Sequence, residues 1–204
     1  MVGVVNYDKM KKDFMESVYQ KMEQELSDNL QYIRSHNMEI QDYLRNSWDK
    51  CLRKLSSKYQ KLHDSGTTGT LAYGYLSFLW SGVLEQGTWY RMDYYDSRSC
   101  ISDVECSERF DISLALKRFE QGSNEIRDMF ASQTQVKPYL ADEVIYHMAE
   151  CFCIELKPLL LNTLYQVLLE EGDKLYGTSS IKFLAGEFLS NAELVAEWRQ
   201  GELA

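Results

Sequence analysis

The chain has 204 residues, a formal net charge of −9 and 45% hydrophobic residues, which is typical of a folded globular protein and excludes a disordered one. This length suits a single domain over 1–204 whose core needs no disulfide or metal ion. The longest uncharged stretch, 65–84, has fewer apolar residues than the roughly 20 that a membrane-spanning helix requires, so we expect no membrane association.

The charge is distributed unevenly along the chain. Residues 1–62 contain eleven basic and nine acidic residues, whereas residues 63–204 contain eleven basic and twenty-two acidic residues. The acidic second part disfavours nucleic acids and anionic membranes as partners, because both are negatively charged. The N-terminus shows no secretory pattern, and the five cysteines are an odd count that is typical of reduced thiols. We therefore expect a cytoplasmic protein.

Two long amphipathic helices are predicted at the start of the chain. Apolar residues recur at steps of three or four over 7–34 and again over 38–62, which places them on one side of each helix. The short connection between the two favours an antiparallel helical hairpin. The last turns of the second helix carry five basic residues and no acidic one. These basic residues are Lys50, Arg53, Lys54, Lys58 and Lys61.

An aromatic segment follows a loop at 63–70. Residues 71–96 contain eight aromatic residues and three glycines. Aromatic residues favour strands and glycine disfavours helix, so we predict a hairpin of two strands over 71–81 and 88–96. A buried helix over 71–85 is the alternative, because periodicity alone does not separate it from a strand.

Helical patterns return in the second half of the chain. A polar, irregular stretch over 97–108 precedes a helix over 110–133. A longer helix begins in its first turn with Pro138 and ends at Glu171, with Gly172 as its C-terminal cap. Pro158 lies inside this helix and should kink it, because its ring clashes with the preceding turn.

The C-terminal region completes the predicted fold. Alternating residues over 180–188 predict a third strand, and 191–199 is expected to form a short final helix. The fold class is therefore α+β and predominantly helical. It consists of long antiparallel helices and a small antiparallel sheet formed by the hairpin 71–96 and the strand 180–188, with an all-α fold as the alternative.

Several short motifs carry a resemblance to known proteins. The string Tyr75-Leu76-Ser77-Phe78-Leu79-Trp80 is followed by Trp89-Tyr90, by Tyr94-Tyr95-Asp96 and, near the end, by Gly186-Glu187-Phe188. Together they resemble a group of uncharacterised bacterial proteins of similar length. The resemblance implies a fold of helices and a small sheet, and it implies no functional residues.

The loop Ser65-Gly66-Thr67-Thr68-Gly69 has the composition of a phosphate-binding loop. Such loops surround a phosphate with backbone N–H groups and hydroxyls, and this one is similar to the loop of adenylate-forming enzymes. In that family a Pro-Lys pair follows, whereas Thr70-Leu71-Ala72 follow here. We therefore interpret the segment as a connecting loop.

One helix also presents groups that bind divalent metals at neighbouring positions. These groups are Glu143, His147, Glu150 and Cys151. A single helix rarely completes a metal site, and the sequence has no second His/Glu cluster to join it. We therefore assign no metal, no cofactor and no catalytic residue from the sequence.

Two surfaces are candidates for binding. The basic run at Lys50–Lys61 suits an anion, although it could also complement its own helix dipole or meet the acidic remainder of the chain. The aromatic types of the hairpin are those enriched in binding hot spots. Strand alternation would place Trp89 and Tyr95 on one face and Tyr90 and Tyr94 on the other. One face would pack on helices and leave the other for a protein partner, unless the sheet is covered on both faces.

The function that best fits these features is protein interaction without catalysis. An adaptor, an immunity-like or inhibitor protein, or an assembly subunit would each bind a protein partner or a second copy of itself. An enzyme whose site is assembled from distant residues is one alternative. Nucleic-acid binding through the basic end of the helix 38–62 is another.

Overall fold

A computed structural model describes residues 7–101, 104–134, 136–177, 180–187, 192–199 and 202–203. The helices are α1 (Tyr7–Ser35), α2 (Asn37–Asp64), α3 (Trp80–Leu84), α4 (Ser113–Ala131) and α5 (Leu140–Tyr176). The strands are β1 (Tyr73–Phe78), β2 (Tyr90–Tyr95), β3 (Ser107–Phe110), β4 (Ser180–Glu187), β5 (Ala192–Arg199) and β6 (Glu202–Leu203). The predominantly helical α+β class is confirmed, and the all-α alternative is wrong.

The chain forms two compact units. The first consists of Met1–Asn37 and Leu114–Leu156, and the second consists of Met38–Ser113 and Lys157–Ala204. Among the described residues the first unit is helical, whereas the second contains α2, the C-terminal part of α5 and the six strands. That residues 1–204 form a single domain stays a prediction.

The first unit joins α1 to α4 through apolar and ionic contacts. The rings of Phe14 and Phe130 meet edge to face with their centroids 5.2 Å apart. Glu25 is fully buried, and its carboxylate lies 2.6 Å from both the Lys21 ammonium and the Arg118 guanidinium. These two cations offset part of the cost of removing a carboxylate from water. The buried charge therefore depends on contributions from both helices.

The second unit is built around a sheet whose described strands follow the order β3-β2-β1-β4-β5-β6. β1 and β2 pair antiparallel, as predicted, with the short helix α3 in their connection. The segment 71–85 is therefore a strand followed by a helix, and each sequence alternative covered part of it. β1 pairs in parallel with β4, so the sheet is mixed rather than wholly antiparallel. A parallel pair requires a long crossover connection, which the chain between these two strands supplies.

Helices cover one face of the sheet. The residues of β2 that point towards the helices are Tyr90, Met92 and Tyr94, all of them buried. Trp48 of α2 stacks on Phe110 of β3 with ring centroids 3.8 Å apart. The hydroxyl groups of Tyr94 and Tyr176 form a hydrogen bond inside this core. Large aromatic side chains thus fix α2 and the end of α5 to the sheet.

The predicted final helix over 191–199 is wrong, although residue 191 itself lies outside the described residues. Residues 192–199 form β5, which pairs antiparallel with β4. Ala196 and Trp198 are two positions apart, and each is only 2% exposed. This two-residue period is that of a strand lying on a core. A short helix is marginal by itself, so pairing with an existing strand overrides the local helical pattern.

The helix α5 also extends beyond its predicted end. It continues through Gly172 to Tyr176, and the positive φ of a C-terminal glycine occurs at Gly177, where φ is 56°. A Cβ atom at residue 172 would lie 2.7 Å from the outer ring of Trp198, so glycine there permits close packing instead of capping the helix. Pro158 lies inside α5 as predicted, and the helix begins two residues after Pro138.

Candidate functional site

Most of the aromatic binding candidates are core residues. Trp89, Tyr90 and Tyr94 are 2%, 7% and 1% exposed. β2 begins at Tyr90, so Tyr94 shares its inward face, whereas Tyr95 points to the other face and contacts Tyr75 with ring centroids 5.5 Å apart. Trp89 precedes the strand and is buried, so it does not share an exposed face with Tyr95. Of the four, only Tyr95 points from β2 to the face opposite that of Tyr90 and Tyr94, and it is half-buried.

The basic candidates on α2 divide into paired and unpaired groups. Arg53 bonds to Asp49 at 2.7 Å and to Glu171 at 2.6 Å. Lys54 and Lys58 both pair with Glu108 of β3. The interpretation that this run meets the acidic remainder of the chain is thus confirmed for three of its members. Lys50 and Lys61 are exposed and form no ion pair among the described residues.

The unpaired lysines line a groove between α2 and the segment 105–111. Two cavities follow one another along it, with volumes of about 370 Å³ and about 430 Å³. Residues lining the first include Tyr43, Ser47, Lys50, Lys54, Glu108 and Arg109. Residues lining the second include Lys58, Lys61, Glu105 and Ser107. We call the two cavities together the α2/β3 groove.

The groove exists because the flank of α2 runs alongside β3 in the opposite direction. The hydroxyl of Tyr43, near the start of α2, donates a hydrogen bond of 2.7 Å to Asp111, and Lys58 reaches Ser107. Residues three or four apart on a helix share a face, so the lysines from 50 to 61 follow the strand. The sequence alone identifies this row of lysines on α2. It could not identify β3, because four residues show too little alternation.

β3 is an edge strand, and its hydrogen bonds show which backbone groups point outward. The Tyr94 N–H donates to the Cys106 carbonyl at 2.9 Å, and the register of the two strands continues from that pair. Bonded and non-bonded pairs alternate in antiparallel strands, so Ser107 and Arg109 direct their backbone groups away from β2. The Lys58 ammonium accordingly donates to the outward Ser107 carbonyl at 2.9 Å.

The groove is positively charged although the chain is acidic. Its five basic residues and three acidic residues give a net charge of +2, against −9 for the whole chain. The basic residues are Lys50, Lys54, Lys58, Lys61 and Arg109, and the acidic residues are Glu105, Glu108 and Asp111. Hydrogen bonds from Lys58 and Lys54 lower the pKa of Glu108, so this carboxylate stays ionised. The remaining positive charge is available to an anionic group.

The surroundings of the two thiols in the groove wall make them unreactive. Cys51 and Cys106 are each 3% exposed. Burial raises the pKa of Cys51 to about 12 and that of Cys106 to about 11. A nucleophilic cysteine needs a thiolate, so both groups are protonated and inert at neutral pH. Neither thiol therefore supplies a nucleophile to the groove.

The loop similar to a phosphate-binding loop is held by an internal carboxylate. Buried Asp96 accepts hydrogen bonds from the Gly69 N–H at 2.9 Å and from the Thr68 hydroxyl at 3.2 Å. The Arg98 guanidinium lies 2.7 Å from the same carboxylate and, with these donors, holds its pKa well below the usual range. Two donors of the loop therefore bind Asp96, while the Gly66 and Thr67 N–H groups donate to the His63 and Leu62 carbonyls, so the loop has a structural role.

The residues of α5 that were considered as metal ligands and not assigned to a metal lie mostly on its surface. Glu143, His147 and Glu150 are exposed, and the His147 Nδ1 lies 3.6 Å from Glu150. Over the residues that the structure describes, no cluster of three or more His, Cys, Asp or Glu side chains could hold a metal ion.

Comparisons with protein-family models, with curated proteins and with solved structures find no match to this chain. Within the described ranges, none of the helices has both the length and the apolar character needed to cross a membrane. The α2/β3 groove and its charge are therefore the features of the structure that bear on function.

Proposed function

We propose that this protein is a non-enzymatic interaction protein that binds an acidic segment of a protein partner in the α2/β3 groove. The observation that carries the proposal is the concentration of unpaired cations, Lys50, Lys61 and Arg109, beside open cavities in a chain of net charge −9. Complementary charge favours both encounter and register between partners. The buried, protonated thiols in the groove wall argue against a nucleophilic role.

An acidic peptide suits this groove better than a nucleic acid does. Glu105, Glu108 and Asp111 lie among the cations, so a continuous row of phosphates would meet repulsion along the same surface. A peptide carries its charges on flexible side chains, which can turn away from these carboxylates and towards the lysines. Cys51, Cys106, Cys151 and Cys153 form no disulfide among the described residues, which fits a cytoplasmic location for such a complex.

The test is the binding of a fluorescein-labelled decaglutamate peptide, measured by fluorescence anisotropy. The variant K50E/K61E reverses two cations that form no internal ion pair. The matched control K11E/K12E reverses two exposed lysines on α1. We expect the groove variant to weaken binding at least about tenfold, which corresponds to about 1.4 kcal/mol. The control should change binding less than about threefold, because Lys11 and Lys12 do not line the groove.

Three results would refute the proposal. The first is failure of the peptide to bind at low ionic strength. The second is an equal loss of affinity in K50E/K61E and in K11E/K12E. The third is tighter binding of a labelled single-stranded DNA of matched charge, because that result would favour a nucleic-acid partner. A labelled decalysine peptide should not bind the groove, and its binding would contradict the role of charge complementarity.

A further inference from the structure

The outer edge of β3 faces the same groove that holds the cations. Ser107 and Arg109 direct backbone groups away from β2, and Ser107 lines the second cavity while Arg109 lines the first. Unpaired backbone groups on an edge strand are a template for pairing with another extended chain. The groove therefore offers backbone donors and acceptors together with positive side chains.

The spacing of the lysines matches that of an extended chain. Lys50, Lys54 and Lys58 are four residues apart on α2, and four residues of helix advance about 6 Å. Two residues of a strand advance about 6.6 Å, and alternate side chains point to the same face. A strand lying beside α2 would therefore bring every second side chain close to a successive lysine.

We propose that the α2/β3 groove binds its acidic partner as an added β-strand, paired to the outer edge of β3, with acidic side chains at every second position facing Lys50, Lys54 and Lys58. This inference rests on the proposed function and specifies the conformation and sequence pattern of the partner. The lysines from 50 to 61 span about 16 Å of helix, which corresponds to a strand of about five residues.

Lys58 has a defined part in this mode of binding. In the free protein its ammonium donates to the outward carbonyl of Ser107 and pairs with Glu108. Its side chain is 51% exposed, and exposed ion pairs contribute little to stability. A backbone N–H of the incoming strand would replace the ammonium at the Ser107 carbonyl. Lys58 would then turn to an acidic side chain of the partner.

The ligand pattern is tested with two labelled octapeptides of identical composition. One alternates Glu and Thr, and the other arranges the same residues in blocks of two. We expect the alternating peptide to bind at least about fivefold more tightly, because only its acidic residues all lie on one face. Two further versions carry N-methyl groups on either the odd or the even amides. One version should lose binding at least about tenfold and the other should retain it, because a strand pairs through one edge.

The protein side is tested with R109P and its matched control R109A. Both variants remove the guanidinium, but only proline also removes the outward N–H, a group that makes no bond to β2. R109P should therefore bind the alternating peptide at least about fivefold more weakly than R109A. As a measurement on the unmodified protein, amide hydrogen exchange by NMR should show that the peptide protects the Ser107 and Arg109 N–H groups.

The outcomes separate this inference from the proposed function. Equal affinity for the two octapeptides, loss of binding in both or neither N-methylated version, or unprotected amides at Ser107 and Arg109 would overturn strand addition. If K50E/K61E still abolishes peptide binding in that case, the charged groove stands as the binding site. If no acidic peptide binds the unmodified protein, the proposed function and this inference both fail.

Discussion

The contact between Gly172 and Trp198 predicts how a methyl group added at position 172 changes the free energy of unfolding. In the variant G172A the new methyl carbon would lie 2.7–2.8 Å from three atoms of the outer indole ring, closer than the ~3.5–4.0 Å at which carbon atoms attract each other. Trp198 is 2% exposed and has little room to move. Overpacking of this kind costs about 1–3 kcal/mol, while replacing glycine by alanine inside a helix contributes about 1 kcal/mol of stability. We therefore expect G172A to lower the free energy of unfolding by about 1 kcal/mol in total.

The variant W198F separates the contact from any effect of the backbone, because it removes the outer edge of the indole ring. In that background G172A should stabilise the protein by about 1 kcal/mol, which gives a coupling energy of about 2 kcal/mol in a double-mutant cycle. Urea unfolding, monitored by circular dichroism, measures the free energy of unfolding of each variant in the cycle. The control G87A adds a methyl group with no neighbour within 4 Å. Equal destabilisation by G172A in both backgrounds would refute the packing argument.

Three further predictions concern buried polar groups. The pKa of Asp96 is lowered in the folded protein, so its contribution to stability is present above the pKa of an unfolded aspartate and is lost as the pH falls towards the folded value. D96N should therefore lower the free energy of unfolding by about 2 kcal/mol at neutral pH and by less in acid. An equal loss of stability in thermal melts at the two pH values would contradict this. R118A should lower the free energy of unfolding in urea by about 3 kcal/mol, because it leaves buried Glu25 with Lys21 as its one remaining cation. The control K117A changes a neighbouring exposed lysine and should have little effect. Iodoacetamide at mildly alkaline pH should leave Cys51 and Cys106 unmodified until the protein is denatured, and rapid labelling of the native protein, read by mass spectrometry, would disprove their inert state.

Only part of the candidate site could be predicted from the sequence. The run from Lys50 to Lys61 is a local pattern on one helix, so its position and charge could be predicted. Its partner strand, Ser107–Phe110, is too short to be recognised by alternation, and it crosses from a stretch expected to be irregular into the predicted helix 110–133. The aromatic types of the hairpin were identified correctly, but chemical type does not determine burial, and three of the four proved to be core residues.

The sequence by itself determined the elements whose periodicity is long or strict. Apolar residues at steps of three or four over many turns specify α1 and α2, and strict alternation at Ile181, Phe183 and Ala185 specifies β4. Only the tertiary structure decided how these elements combine. β4 is parallel to β1 and β5 is a strand, because hydrogen bonding to a neighbouring strand outweighs weak local preference. The same tertiary pairing places an edge strand beside the lysines of α2, which turns a basic helix face into a groove.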